Sequence, residues 1–136
     1  MRIDLFSLAE VGADELRWTE RPWRRWSGVR LDDIGPEQLA RLAELLGVGS
    51  HESVLGGFAF LAGESQESPW VVAVPDGLVQ ALASAASDEL RATAEGWSTV
   101  IERDDAASLR SRLERIGRFF RRHEGPFVLY IDTRRE

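Results

Sequence analysis

An α+β fold in one domain over residues 1–136, with a small mixed sheet of about three to four strands packed by about four helices, is the architecture this sequence predicts. Three observations point to it. Short strand-like segments lie near both ends, at Ile3 to Leu8 and Phe127 to Ile131. One long, strongly amphipathic helix spans 105–123. The elements read in order as strand, loop, helix, strand, strand, three helices and strand.

Ile3, Leu5 and Ser7 alternate with Asp4 and Phe6, the period of a strand with two different faces. The stretch Leu16-Arg17-Trp18-Thr19-Glu20-Arg21-Pro22-Trp23-Arg24-Arg25-Trp26-Ser27-Gly28 has no clean period and carries Pro22 and Gly28, so it reads mostly as loop. Asp32 or Asp33 can cap a helix with Pro36 in its first turn. Leu39, Leu42, Leu45 and Leu46 form its apolar stripe, and Gly47 supplies a C-terminal stop. Phe58 to Ala62 can be a strand entering the turn 63–69, with a short helix from Ser50 as the competing reading.

Trp70-Val71-Val72-Ala73-Val74, bounded by Pro69 and Pro75, reads as a strand buried on both faces. Helix follows: Leu78, Val79 and Leu82 share a face, Ser84 to Ala86 breaks the pattern, and Ser87 can cap a second helix running toward Trp97. At about 100° per residue, Leu109, Leu113, Ile116 and Phe120 fall in one narrow arc, with Arg110, Arg115, Arg118, Arg121 and Arg122 spread opposite. Asp104 and Asp105 at its start and Arg121, Arg122 and His123 at its end complement the helix dipole. Gly125 and Pro126 end it, and Phe127-Val128-Leu129-Tyr130-Ile131 reads as an interior strand.

Composition bounds the chemistry. Apolar residues at 43% and charged residues at 29% are ordinary for a folded domain, which excludes disorder of the whole chain. There is no Cys, so disulfides, thiol nucleophiles and cysteine-ligated metals are excluded, and a reducing compartment fits. Every one of the 17 basic residues is Arg, which removes Schiff-base chemistry and the P-loop lysine. Together with the absence of Asn, it suits a high-GC bacterial genome. No apolar run approaches the ~20 residues that span a bilayer, and the N-terminal residues enter a strand rather than a signal peptide, so the expected location is cytoplasmic.

The net charge of −6 is segmented. Residues 17–30 carry five Arg against Glu20, residues 31–102 carry twelve acids against Arg41 and Arg91, and residues 103–122 carry seven Arg against three acids. These blocks can pair internally or stand as solvated faces. The acidic total argues against nonspecific nucleic-acid binding.

The succession Val71-Val72-Ala73-Val74-Pro75, Leu78-Val79-Gln80-Ala81-Leu82, Asp88-Glu89-Leu90, the helix from Leu109 to Phe120 and the closing Val128-Leu129-Tyr130-Ile131 is similar to YfbM-like bacterial proteins. The resemblance covers about the last half of the chain. It implies a small α+β fold and no accepted catalytic residue, and the Trp-rich segment has no counterpart in it.

Motifs for catalysis are sparse. Ser50-His51-Glu52-Ser53 brings together hydrolase residue types, but adjacent residues do not make a triad, and no nucleophile elbow is present; a polar helix start explains them. His123 sits at a helix C-terminus, where an imidazole interacts favourably with the dipole. Two histidines without His-Glu-x-x-His spacing leave no basis for zinc. Gly47-Val48-Gly49 follows a helix and is a C-cap rather than a phosphate loop. Asp32-Asp33 and Asp104-Asp105 stand at helix starts, where capping accounts for them. No catalytic residue, metal ligand or cofactor is therefore expected.

What stands out is Trp18, Arg21, Trp23, Arg24, Arg25 and Trp26. Trp and Arg are the residue types enriched at interface hot spots. They can equally fold back as a lid on the core, with guanidiniums stacked on the indoles. The expectation is a non-enzymatic module that binds another protein, in its most concrete form an immunity or antitoxin-like inhibitor. A small-molecule binder or enzyme with a pocket under the Trp segment and His51 as its polar group is the first alternative, and a single-stranded nucleic-acid binder the second.

Overall fold

The computed structural model describes residues 1–9, 11–32, 34–102 and 105–134. The N-terminal alternation becomes β1 (Arg2–Ser7), and the apolar run near the C-terminus becomes β5 (Phe127–Asp132). They pair antiparallel over their whole length, from Arg2 opposite Asp132 to Ser7 opposite Phe127. β2 (Val29–Arg30) adds to the free edge of β1, β4 (Trp70–Ala73) to that of β5, and β3 (Phe60–Ala62) to β4. The order is β2-β1-β5-β4-β3, with every pairing antiparallel. This is the α+β class the sequence predicts, with five strands among the described residues where about three or four are expected.

Strand parity divides the interior. Ile3, Leu5, Val72, Leu129 and Ile131 face one side and join the larger apolar cluster with the helices α2 (Pro36–Leu45), α4 (Asp76–Ser84), α5 (Ser87–Ile101) and α6 (Ala106–Arg122). α3 (His51–Gly56) packs on α2 and adds Val54. Phe6, Val71, Val128 and Tyr130 face the other side, with Ala62 of β3, and form a second cluster with Val11 and Leu16. That side is covered by the chain excursion between β1 and β2. It contains α1 (Ala13–Trp18) and a 3₁₀ turn (Pro22–Arg24), so the segment expected to be mostly loop is partly helical. Tertiary support from Leu16, fully buried beneath it, holds a helix too short to stand alone.

α6 follows its pattern closely. Leu109, Leu113, Ile116 and Phe120 are buried, Arg115, Arg118, Arg121 and Arg122 are exposed, and the Asp105 carboxylate accepts from Ser108 N at 2.7 Å as N-cap. Asp104 lies outside the described residues. Two other caps differ from expectation. α2 begins after Gly35, whose N–H donates to Gln38 Oε1 at 3.0 Å, with Pro36 as its first residue. Asp32 instead serves Arg30 and Arg112, and Asp33 lies outside the described residues. α5 includes Ser87 and has Ala86 at its N-cap. The helix from Ser50 and the strand near Phe58 to Ala62, read as competitors, both form, as α3 and β3. Ser50 caps α3 by accepting from Ser53 N at 3.2 Å. Among the described residues no helix is long and apolar enough to cross a membrane.

α6 meets α4 through Gly117, where a Cβ would stand 2.8 Å from the Leu82 carbonyl oxygen. Gly117→Ala should therefore destabilise by about 1–3 kcal/mol in urea unfolding despite a helix-propensity gain of about 1 kcal/mol. Gly96→Ala on α5, whose Cβ would only touch the half-exposed Leu45 side chain at 3.4 Å, should leave stability equal or slightly higher. Equal effects of the two substitutions would refute the close helix approach.

Candidate functional site

The excursion from residue 11 to 28 crosses the sheet face opposite the helices, and its aromatic residues do not share one environment. Trp23 and Trp26 are half-buried and pack on the second cluster. Trp23 meets Tyr130 edge-on, with ring centroids 6.3 Å apart, and Tyr130 meets Phe6 in the same way. Trp18 is 73% exposed. Of the charged residues flagged with them, Arg21, Arg24 and Arg25 are all exposed.

Beneath Trp23 lies an ion pair that the sequence did not single out. Arg2 donates to both carboxylate oxygens of Asp4, at 2.8 and 3.2 Å, and its guanidinium carbon sits 3.6 Å from the Trp23 ring centroid. Arg2 and Asp4 are two apart on β1 and so share a face; that spacing was the available signal. Asp4 is almost fully buried, and loss of hydration raises its pKa above the ordinary 3.8, with the bond and charge of Arg2 opposing. Asp132, opposite Arg2 in register, is fully buried as well. Its carboxylate accepts from the backbone N–H and the guanidinium of Arg134, and that pairing raises the Arg134 pKa.

Arg17, although it belongs to the basic segment, has a structural task. It is buried, and its guanidinium donates to Pro69 O at 2.9 Å and Glu67 O at 3.0 Å. It also stacks on Trp18 with its carbon 4.1 Å from the ring centroid. Gly63, at φ +89°, permits this packing, because a Cβ there would lie 2.9 Å from both Arg17 Nε and Pro69 O. Trp18 is thereby held from one side by a cation that is itself fixed to main-chain carbonyls, and its remaining surface faces water.

The turn carrying Arg21 and Arg24 has an uncommon backbone conformation. Arg21 adopts φ +50° and ψ +61° directly before Pro22, a left-handed conformation that costs a non-glycine residue about 1–2 kcal/mol. Neither Arg21 nor Arg24 has a carboxylate within ion-pair distance among the described residues. Arg25 approaches Glu15 at 3.8 Å, with both side chains more than half exposed, the geometry of a weak surface pair. A recess of about 360 Å³ borders the segment between Arg17 and Trp18 on one wall and Glu67, Ser68 and Arg134 on the other.

His51 is elsewhere. As the first residue of α3 it lies in the helical layer, with its N–H donating to Glu44 Oε2 at 3.0 Å and Nε2 placed 3.1 Å from Glu37 Oε2 without hydrogen-bond alignment. It does not line the recess beside the Trp segment. His123 stacks on Phe119 at 4.3 Å. Among the described residues there is no group of three or more His, Asp or Glu side chains placed to hold a metal ion.

Trp23→Ala should lower stability by about 2–3 kcal/mol in chemical denaturation, since it strips cover from the second cluster and from Arg2. Trp18→Ala should change it by less than about 0.5 kcal/mol. Asp4 gives a pH signature: a carboxyl whose folded pKa is raised binds its proton more tightly in the native state. Its contribution is therefore greatest at acidic pH and declines as pH rises through the folded pKa. The stability of the wild type relative to Asp4→Asn should accordingly fall as pH rises above about 4; a difference that stays flat with rising pH would contradict the assignment. Compared with known proteins, the chain matches no family model, no curated protein and no solved structure.

Proposed function

We propose that this chain is a non-enzymatic protein-interaction module that docks an acidic surface of another protein through Trp18, Arg21 and Arg24, an immunity or antitoxin-like inhibitor of a bacterial protein being its most concrete form. The observation that carries the reading is the exposure of Trp18 at 73% while the neighbouring Trp23 and Trp26 turn toward the sheet. An indole left in water forfeits roughly 2 kcal/mol or more of burial, and here it is held in place by Arg17. A rigid aromatic anchor loses little entropy when it enters a partner's pocket. Arg21 and Arg24 on the adjoining turn supply cations that no described carboxylate satisfies, which suits steering toward an acidic partner.

The same arrangement weighs against single-stranded nucleic-acid binding and against a pocket beneath Trp23 that uses His51. Stacking along a single strand uses successive outward rings, and of these three indoles two pack on the sheet. The space beneath Trp23 is occupied by Arg2, Asp4 and Tyr130, and His51 is in the helical layer. The likeness of the second half to YfbM-like proteins is part of the same proposal and contributes no residue to the surface.

Co-expression of the tagged protein with the products of adjacent genes should yield a defined complex. Trp18→Ala and the double substitution Arg21→Glu with Arg24→Glu should each weaken it at least about tenfold, while thermal stability stays at the wild-type value. Failure to isolate any defined complex, or one indifferent to both variants, would remove the proposal.

A further inference from the structure

The two arginine-rich blocks, almost a hundred residues apart in sequence, meet at one end of the sheet. Arg25 and Trp26 from the first and Arg122 and His123 from the end of α6 line a cleft of about 500 Å³. Ser7 at the end of β1 and Ser27 contribute hydroxyls, and the Ser7 hydroxyl is already committed to the Glu124 carbonyl.

From this convergence we infer that the cleft is a binding site for a small-molecule phosphate monoester bearing an apolar or ring substituent. The site stands on different residues from the Trp18 surface and does not depend on that reading. Arg122 is exposed and has no carboxylate within ion-pair distance among the described residues. Arg25 approaches Glu15 at 3.8 Å, and its guanidinium carbon lies 4.8 Å from the Trp26 ring centroid. Stacking on Trp26 occupies the face of the Arg25 guanidinium and not its in-plane N–H groups, so Arg25 and Arg122 can each present a planar fork that matches two oxygens of a phosphate. The cleft volume is far larger than a bare anion needs and falls in the range of small-molecule sites. The Trp26 indole supplies an apolar wall next to the cations, so the phosphate and the organic part of one ligand both find a surface.

Glu124 also lines the cleft and opposes an anion there. It makes the sign of the ligand's charge testable: removing its carboxylate strengthens an anion and weakens a cation.

Phenyl phosphate titrated into the whole protein at low salt, followed by calorimetry, should bind at one site with a dissociation constant of about 1 mM or tighter. Inorganic phosphate should bind more weakly, and benzyl alcohol should not bind. Arg122→Gln and Arg25→Gln should each weaken phenyl phosphate by about tenfold, Glu124→Gln should tighten it, and Trp18→Ala should leave it unchanged. Should Arg122→Gln alter the melting temperature, Arg122→Lys, which keeps the charge and loses the fork, should still bind more weakly than wild type. No saturable binding, equal affinity in the Arg122 variants, or weaker binding in Glu124→Gln would overturn the assignment.

Discussion

The antiparallel pairing of β1 with β5 is the contact on which the rest of the molecule rests. It joins the first strand to the last at the centre of the sheet, with β2 added outside β1 and β4 and β3 outside β5. Because side chains alternate, one register sorts Ile3, Leu5, Leu129 and Ile131 toward the helices and Phe6, Val128 and Tyr130 toward the opposite face. A slip by one residue would exchange those sets and carry the Arg2–Asp4 pair into the helical core. Closing a chain-length loop is entropically slow, so this central pairing is also the most nonlocal contact of the fold.

A sheet with two apolar faces needs two covers, and the second is unusual in material. Among the described residues α1 and a 3₁₀ turn are the helical elements there, and two half-buried indoles and an aromatic-stacked ion pair complete the cover. Burying Asp4 carries a desolvation cost that Arg2 offsets only in part through two hydrogen bonds, and Trp23 shields the pair. The same cover leaves Trp18 and the exposed arginines outside it. Structural and surface roles are thus divided within one short stretch of chain, residue by residue.

The charge blocks resolve in a similar way. Asp32 draws Arg30 from the first basic block and Arg112 from the second, at 2.6 and 3.9 Å. Arg110 pairs with Glu114 within its own helix, and Arg17 donates to main-chain carbonyls rather than to acids. Much of the remaining arginine surface on the turn 21–25 and on the outer face of α6 stays in water, and the two parts adjoin at the cleft between Arg25 and Arg122.

α6, α2, β1, β4 and β5 were legible in the sequence because their side-chain periods are local and strong: the Leu109–Phe120 arc, the Leu39–Leu46 stripe and the strand alternation report burial without knowledge of neighbours. β2, with two residues, and α1, with six, exist only because β1 and the second cluster support them, so no periodic signal announced them. The prominence of the Trp/Arg segment was likewise visible as composition. Which indole faces inward was not, since an aperiodic stretch carries no information about direction. By itself the sequence determined the α+β class, the long amphipathic helix, the exclusion of thiol and lysine chemistry, and the segregation of charge. Only the tertiary structure decided that Trp23 covers an ion pair while Trp18 faces water, and that Arg25 and Arg122 share one cleft. The physical reason is that exposure and charge proximity depend on contacts between residues far apart in the chain, and no local pattern encodes them.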